Sequence, residues 1–337
     1  MNRRHFLTAT MVGLIGARAP LHGQPRPAMR EYDVLRRFPA GRLVFEAPDA
    51  QGLMGTNKVH GMWIEAGPQR GSCRSVIYAV VQDTLPAADQ AWRGIEVAFA
   101  HQLEDGRFEA NLRPNGQSAK PYGAAVETAF FFMQEYMRAV LVIRQSPHAA
   151  HFAARIAALQ PKARRAMDFI SGGVETIMRE TSHAPNRIII GAKALGLGGL
   201  VLDDPALVQQ ARTLMAHALT LRDADGVFVE KGGRDSSYNM VSVLFGQVLT
   251  LHVPMPEAEA AFAGAMAWQI SRVLPSGEVD VRNNSRTGVG KEVSYGGAPK
   301  TVNYTEMLQA LTLYGLVHQD AAALAAADRV QAYMQRQ

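Results

Sequence analysis

The chain has 337 residues, 47% of them hydrophobic, which is enough for one large core or two small ones. Its single cysteine, Cys73, excludes an internal disulfide framework and a zinc-finger type of metal site, so stability has to come from packing. The formal charge of +5 favours anionic partners over cationic or neutral ones, although part of that excess falls in the first residues.

Those first residues place Arg3 and Arg4 ahead of an apolar run from Leu7 to Ile15 that is too short to span a bilayer, followed by the small-x-small pattern Ala17-Arg18-Ala19. The pattern predicts an export leader over residues 1–25 of the twin-arginine type, a mature chain beginning near Pro20, and a periplasmic destination. Residues 26–86 mix apolar and polar segments with Gly52, Gly55, Gly61, Gly67, Pro68 and Gly71. They read as an irregular N-terminal layer of the same domain, with a β-like run over Ser75–Val81.

From Ala87 to the end, residues 87–337, apolar residues recur at three and four spacing in segments divided by short polar turns. The expected helices are 87–103, 122–144, 148–158, 161–180, 185–200, 205–221, 236–251, 257–272, 302–317 and 320–335. Asp204 and Pro205 supply a cap and a first-turn proline to one of them. Gly191, Gly196, Gly198 and Gly199 inside another point to close helix packing. Lys193 and Asp203-Asp204 interrupt that stretch too early for a membrane span, so no stable membrane anchor is expected.

A weak echo runs through the array. Glu104-Asp105-Gly106-Arg107-Phe108-Glu109, Ala224-Asp225-Gly226-Val227-Phe228-Val229-Glu230 and Pro275-Ser276-Gly277-Glu278-Val279-Asp280 each read as a tight turn leading into a short extended stretch. Repeated turns of this kind would line one rim of a ring of helices and form a cleft. The expected fold is therefore all-α: an incomplete (α/α) toroid or barrel of helical hairpins with short β-hairpins on its rim.

Three stretches concentrate polar chemistry. Asp225 to Asn239 runs from a turn through Lys231, Gly232, Gly233 and Arg234 into an apolar helix, where Asp235 or Ser236 can cap and Tyr238 falls in the first turn. A tyrosine there, beside arginine and lysine, sits in positive potential suited to proton exchange. Ser182-His183-Ala184-Pro185-Asn186-Arg187 opens the glycine-containing helix, where free backbone N–H groups already favour an anion. Val281 to Gly288 carries Arg282 and Arg286, and Lys291, Tyr295, Lys300, Asn303 and Tyr304 continue the basic, polar character.

The order of these stretches resembles that of the α/α-toroid polysaccharide lyases that include chondroitin AC and hyaluronate lyases. In them a helix-opening Asn-Arg segment, matched here by Asn186 and Arg187, neutralises a uronate carboxylate. An Asp-Gly-x-Phe segment leads to a catalytic tyrosine similar in placement to Tyr238, and an arginine-rich loop, matched by Arg282 and Arg286, follows. Lys231 stands where that family carries a histidine, and the family's β-sandwich domains have no counterpart, which makes the chain more similar to the toroid-only alginate and glucuronan lyases. The resemblance implies a periplasmic lyase that cleaves a uronic-acid-containing polysaccharide by β-elimination without cofactor or metal. Tyr238, Asn186, Arg234 and Lys231 are the expected catalytic set. Arg187, His183, Arg282, Arg286, Asn239, Tyr304 and Asn303 are expected to bind an acidic polysaccharide.

Two other functions fit the same pattern. A glycoside hydrolase on the toroid would draw two carboxylates from Glu65, Glu96, Asp105, Glu109, Asp225, Glu230 and Asp235, none of which is paired by spacing. A noncatalytic exopolysaccharide-binding protein would keep the basic cleft and is favoured by Lys231 in place of histidine. No aromatic-plus-basic platform for nucleic acid appears.

Overall fold

The computed structural model describes residues 29–111, 122–293 and 298–337; the expected leader and Tyr295 lie outside the described residues. In chain order the elements are α1 (Glu31–Leu35), α2 (Gly55–His60), α3 (Arg70–Val81), α4 (Leu85–Ala100), α5 (Tyr122–Gln145), α6 (Ala149–Gly172), α7 (Val174–Glu180), α8 (Pro185–Leu202), α9 (Pro205–Leu219), β1 (Val229–Glu230), β2 (Gly233–Arg234), α10 (Ser236–His252), α11 (Pro256–Ser271), α12 (Tyr304–His318) and α13 (Ala321–Met334). Helices α3, α5, α8, α10 and α12 form an inner layer, each packing against its neighbour in that order, and α4, α6, α9, α11 and α13 pack outside them as hairpin partners. The result is an incomplete α/α toroid in which all inner helices point the same way.

The two layers have different sequence signatures. Outer α4 buries Ala88, Ala91, Trp92, Ile95, Ala98 and Phe99, a stripe at helical spacing. Inner α8 is buried almost throughout, and a methyl group added at Gly196, Gly198 or Gly199 would come within 2.5–2.7 Å of Leu249, Met167 or Val208. Its glycines therefore set the spacing to three neighbouring helices.

Two expectations change. Ser75–Val81 is not a strand but the second half of inner helix α3, with every residue buried. A helix covered on all sides loses its polar stripe, and a β-branched run then looks the same in either state. The expected pair 148–158 and 161–180 is instead one helix, α6, running through Pro161 to Gly172, with the break at Gly172-Gly173 before α7. The proline removes one N–H from the ladder, while Lys162 beside it is tied to the carbonyl of Phe99 at 2.7 Å.

The seam between the last hairpin and the first is filled from the N-terminal side. Arg42 is buried and donates to Thr312 and Gln331 at 2.9 Å and to Asp328, while the Leu43 carbonyl accepts from Gln82 and Glu46 bonds to Ser75. Helix α1 closes the floor at the C-terminal ends of the inner helices. There the buried Glu31 carboxylate accepts from Arg138 at 2.7 Å and His252 at 2.8 Å. Above it, charged side chains line the axis: Glu135 pairs with Arg138 at 3.2 Å, Lys193 at 3.1 Å and Arg74 at 3.4 Å, and Arg74 reaches Glu306 at 2.9 Å. Burial lowers Lys193 to about 7 although Glu135 opposes it.

The echoed turns share one hydrogen-bond pattern. Leu103, Asp223 and Leu274 each accept from the turn glycine, at 3.1, 3.0 and 2.9 Å, and donate to the carbonyls of Arg107, Val227 and Glu278 respectively. Gly106, Gly226 and Gly277 all have φ between +81° and +90°. Each turn returns the chain from an outer helix to the rim above the N-termini of the inner helices.

Candidate functional site at the N-terminal mouth of the toroid

Asp235 organises the mouth. It is fully buried, caps α10 through Ser237 and Tyr238 N–H at 3.0 and 3.1 Å, and accepts the backbone N–H groups of Arg286 and Thr287 at 2.9 and 2.8 Å and the Thr287 hydroxyl at 3.0 Å. One carboxylate thus fixes the first turn of α10 and the 281–292 loop together.

On that frame Tyr238 lies beneath two cations. The Arg286 guanidinium sits 3.8 Å from its ring centroid, and the Lys300 ammonium donates to its hydroxyl at 3.2 Å. Arg286 pairs with the buried Glu230 and with Glu292, at 3.0 Å for the latter. Glu292 also receives Lys231 at 2.7 Å and Lys300 at 2.5 Å. Burial works to raise the Glu292 carboxyl, but bonds from Lys231, Lys300 and Arg286 hold it well below the usual carboxylate range. Glu230 goes the other way: burial outweighs Arg286 and raises it to about 7, and its Oε2 has no partner.

Lys231 and Gly232 form the two-residue turn of the β1–β2 hairpin, with φ of +50° and +84°. A lysine in the left-handed region is unfavourable by roughly 1 kcal/mol. Its N–H donates to the His183 carbonyl at 2.7 Å, joining this hairpin to the α8 entrance. His183 is shifted downward, by burial first and then by Arg187, Lys231 and Arg286, so the mouth has a positive potential. Asn186 is 5% exposed with an unpartnered Oδ1, and Arg187 pairs with Glu127 of α5 at 3.1 Å.

The structure therefore brings together Tyr238, Lys231, Arg286, His183, Asn186 and Arg187, and it gives the other expected residues different work. Arg234 is held by Asp223 at 2.5 Å and by Asp225, with its guanidinium toward Trp268. Arg282, its side chain 81% exposed, pairs with Asp280 at 2.8 Å. Asn239 is buried and ties the Phe228 N–H to Ala265 and Gln269. Asn303 caps α12 through Glu306 N–H, and the Tyr304 hydroxyl accepts from Val279 N–H while its ring packs on Tyr333. These five assignments were drawn from the polar clustering of loops, which does not distinguish a residue that meets a ligand from one that ties down backbone. Glu230, named in sequence only as a candidate hydrolase carboxylate, Lys300, named only as part of a basic stretch, and Glu292, not singled out, each meet Tyr238 or its cations in space. Among the described residues no group of three His, Cys, Asp or Glu side chains could hold a metal ion, and no helix is long and apolar enough to cross a membrane.

The architecture is that of the α/α toroids. A solved structure of a glycosyl hydrolase family 88 protein from Bacteroides vulgatus superposes with a TM-score of 0.50 over 81% of this chain and 79% of that one, at 10% identity. At that identity the likeness is one of fold. No protein-family model and no curated protein matches the chain.

Proposed function

We propose that the chain is a carbohydrate-active enzyme of the periplasm that takes an acidic polysaccharide in the mouth over the inner-helix N-termini and cleaves it by β-elimination. The observation that carries the reading is Tyr238, its ring under Arg286 and its hydroxyl on Lys300. In this scheme the phenolate of Tyr238 removes the proton at C5 of a uronate. The C–H electron pair moves into an enolate on the carboxylate, then forms the C4–C5 double bond as the C4–oxygen bond breaks, and the Tyr238 hydroxyl returns the proton to the leaving oxygen. Asn186 and the surrounding cations stabilise the charge that builds on the carboxylate. His183, with its lowered pKa, meets the sugar as a neutral imidazole.

A second reading, hydrolysis on the same toroid, is favoured by two observations. Glu230 is raised to about 7, the condition of a general acid at neutral pH, and the superposed neighbour is described as a glycosyl hydrolase. Glu127 and Glu292 are the carboxylates available as its counterpart. The test incubates the mature protein with alginate, glucuronan, hyaluronan and chondroitin while following ultraviolet absorbance of the unsaturated product and release of reducing ends. Absorbance that is lost in Tyr238→Phe and kept in Glu230→Gln is the expected result for elimination. Reducing ends without absorbance, lost in Glu230→Gln, establish hydrolysis, and silence in both with retained polymer binding leaves a noncatalytic binding protein.

A further inference from the structure

Three cations converge on one carboxylate beside Tyr238. Glu292 Oε1 accepts from Lys231 at 2.7 Å, and Oε2 accepts from Lys300 at 2.5 Å and from the Arg286 Nε at 3.0 Å. These side chains come from three separate places, the β1–β2 turn, the 281–292 loop and the approach to α12, so the cradle is built by the fold and not by local sequence. The same Lys300 touches the Tyr238 hydroxyl, and Arg286 covers its ring, which puts the cradle against the tyrosine itself.

The charge of the cradle exceeds what Glu292 supplies. Lys231, Arg286 and Lys300 bring three positive charges, and the remaining carboxylate in contact, Glu230, is raised by burial. Arg187, the other cation at the mouth, already has Glu127. The cradle is also open: Lys231, Lys300 and Glu292 keep 36%, 25% and 29% of their side-chain surface exposed, while Arg286 at the back keeps 4%. Glu292 is pinned by its backbone, its N–H on the Arg286 carbonyl at 3.1 Å and its carbonyl on the Lys300 N–H at 2.9 Å. Rotation of the side chain alone would vacate the cradle without moving the loop.

From this geometry we infer that Lys231, Arg286 and Lys300 form a carboxylate-binding subsite for the acidic sugar, and that Glu292 occupies it as an internal stand-in that the ligand's carboxylate displaces. The inference rests on the reading that the mouth takes an acidic sugar. It makes the Glu292 carboxylate a competitor of its own ligand, through like-charge exclusion of the incoming group. It also explains the tolerated left-handed conformation of Lys231, which brings a third cation to a point the backbone does not otherwise favour.

The experiment is calorimetric titration of the full chain with free glucuronate and, separately, with glucose. Glu292→Gln keeps the size of the side chain and removes its charge; the expected result is glucuronate binding tighter by about tenfold or more with glucose unchanged. Glu292→Ala should tighten it as well, which guards against a fold effect of either variant, and Glu292→Asp should bind as the wild-type chain does. Glucuronate binding that is unchanged or weaker in both charge-removing variants overturns the inference, since Glu292 would then be holding the cations in position for the ligand. So does equal tightening for glucose, or no glucuronate binding in any variant. Tightening without turnover of any polymer keeps the subsite and removes the enzymatic reading, whereas turnover without tightening does the reverse.

Discussion

Replacing Asp235 by alanine isolates how much of the mouth hangs on one carboxylate. The substitution removes the cap of α10 and leaves five donors without an acceptor: Ser237 N, Tyr238 N, Arg286 N, Thr287 N and the Thr287 hydroxyl. The lost cap costs about 1 kcal/mol. The three remaining donors are buried, and each costs about 1 kcal/mol or more when unmatched, for a total of about 4 kcal/mol. Asp204 is the internal control, because it caps α9 through only Ala206 and Leu207 N–H, with Arg164 at 2.6 Å on its other oxygen. Asp204→Ala should cost about 1 kcal/mol. Asp235→Asn falls between, near 3 kcal/mol, because one amide oxygen survives while its NH2 meets donors. Urea denaturation followed by circular dichroism gives the three values from midpoints at constant slope. A value for Asp235→Ala within about 1 kcal/mol of Asp204→Ala would refute the argument that this residue joins helix and loop.

Two buried groups set opposite pH slopes. Glu230 holds its proton in the folded chain up to about 7, against 4.5 for the ordinary side chain, so the folded state binds more protons across that window and stability falls as pH rises through it. The loss approaches 3 kcal/mol, and Glu230→Gln should abolish it in urea midpoints taken across the window. Lys193 loses its proton at about 7 when folded and at 10.5 otherwise, so stability rises with pH between those values, and Lys193→Met should flatten that limb. Gly277→Ala should cost several kcal/mol, since its Cβ would sit 1.9 Å from the Arg329 carbonyl oxygen at φ of +86°, whereas Gly226→Ala, with 3.8 Å of room, should cost only about 1–2 kcal/mol by thermal melting. Lys231→Gly should leave stability equal or up to about 1 kcal/mol higher while weakening anionic-ligand binding; a destabilised variant would mean the lysine is there for the turn.

The toroid was legible because each hairpin leaves a periodic trace. The stripe of α4, the Asp204-Pro205 start of α9 and the three Gly turns all predict their own geometry from a few neighbouring residues. Helix α3 was not, since its burial on all sides erased the stripe, and Pro161 drew attention away from the glycine pair where α6 ends. At the mouth, Tyr238, Asn186 and Arg187 stand out in the sequence because a helix N-terminus is a local feature. Glu230, Glu292 and Lys300 come together with Tyr238 only when the rim loops fold over α10, and Arg234 and Arg282 were lost to the neighbouring aspartates Asp223, Asp225 and Asp280. A rule that pairs each loop arginine first with the nearest acidic residue in the same turn would have assigned Arg282 to Asp280.

Helix α1 ties the start of the described sequence to helices far along the chain. Glu31 is separated from Arg138 by 107 residues and from His252 by 221, so the floor has no complete seat for it until α10 has been made and placed. The seat of this first described helix is therefore built from side chains of both α5 and α10. A chain cut short before His252 would be left with an unclosed ring and a buried glutamate lacking one of these two partners.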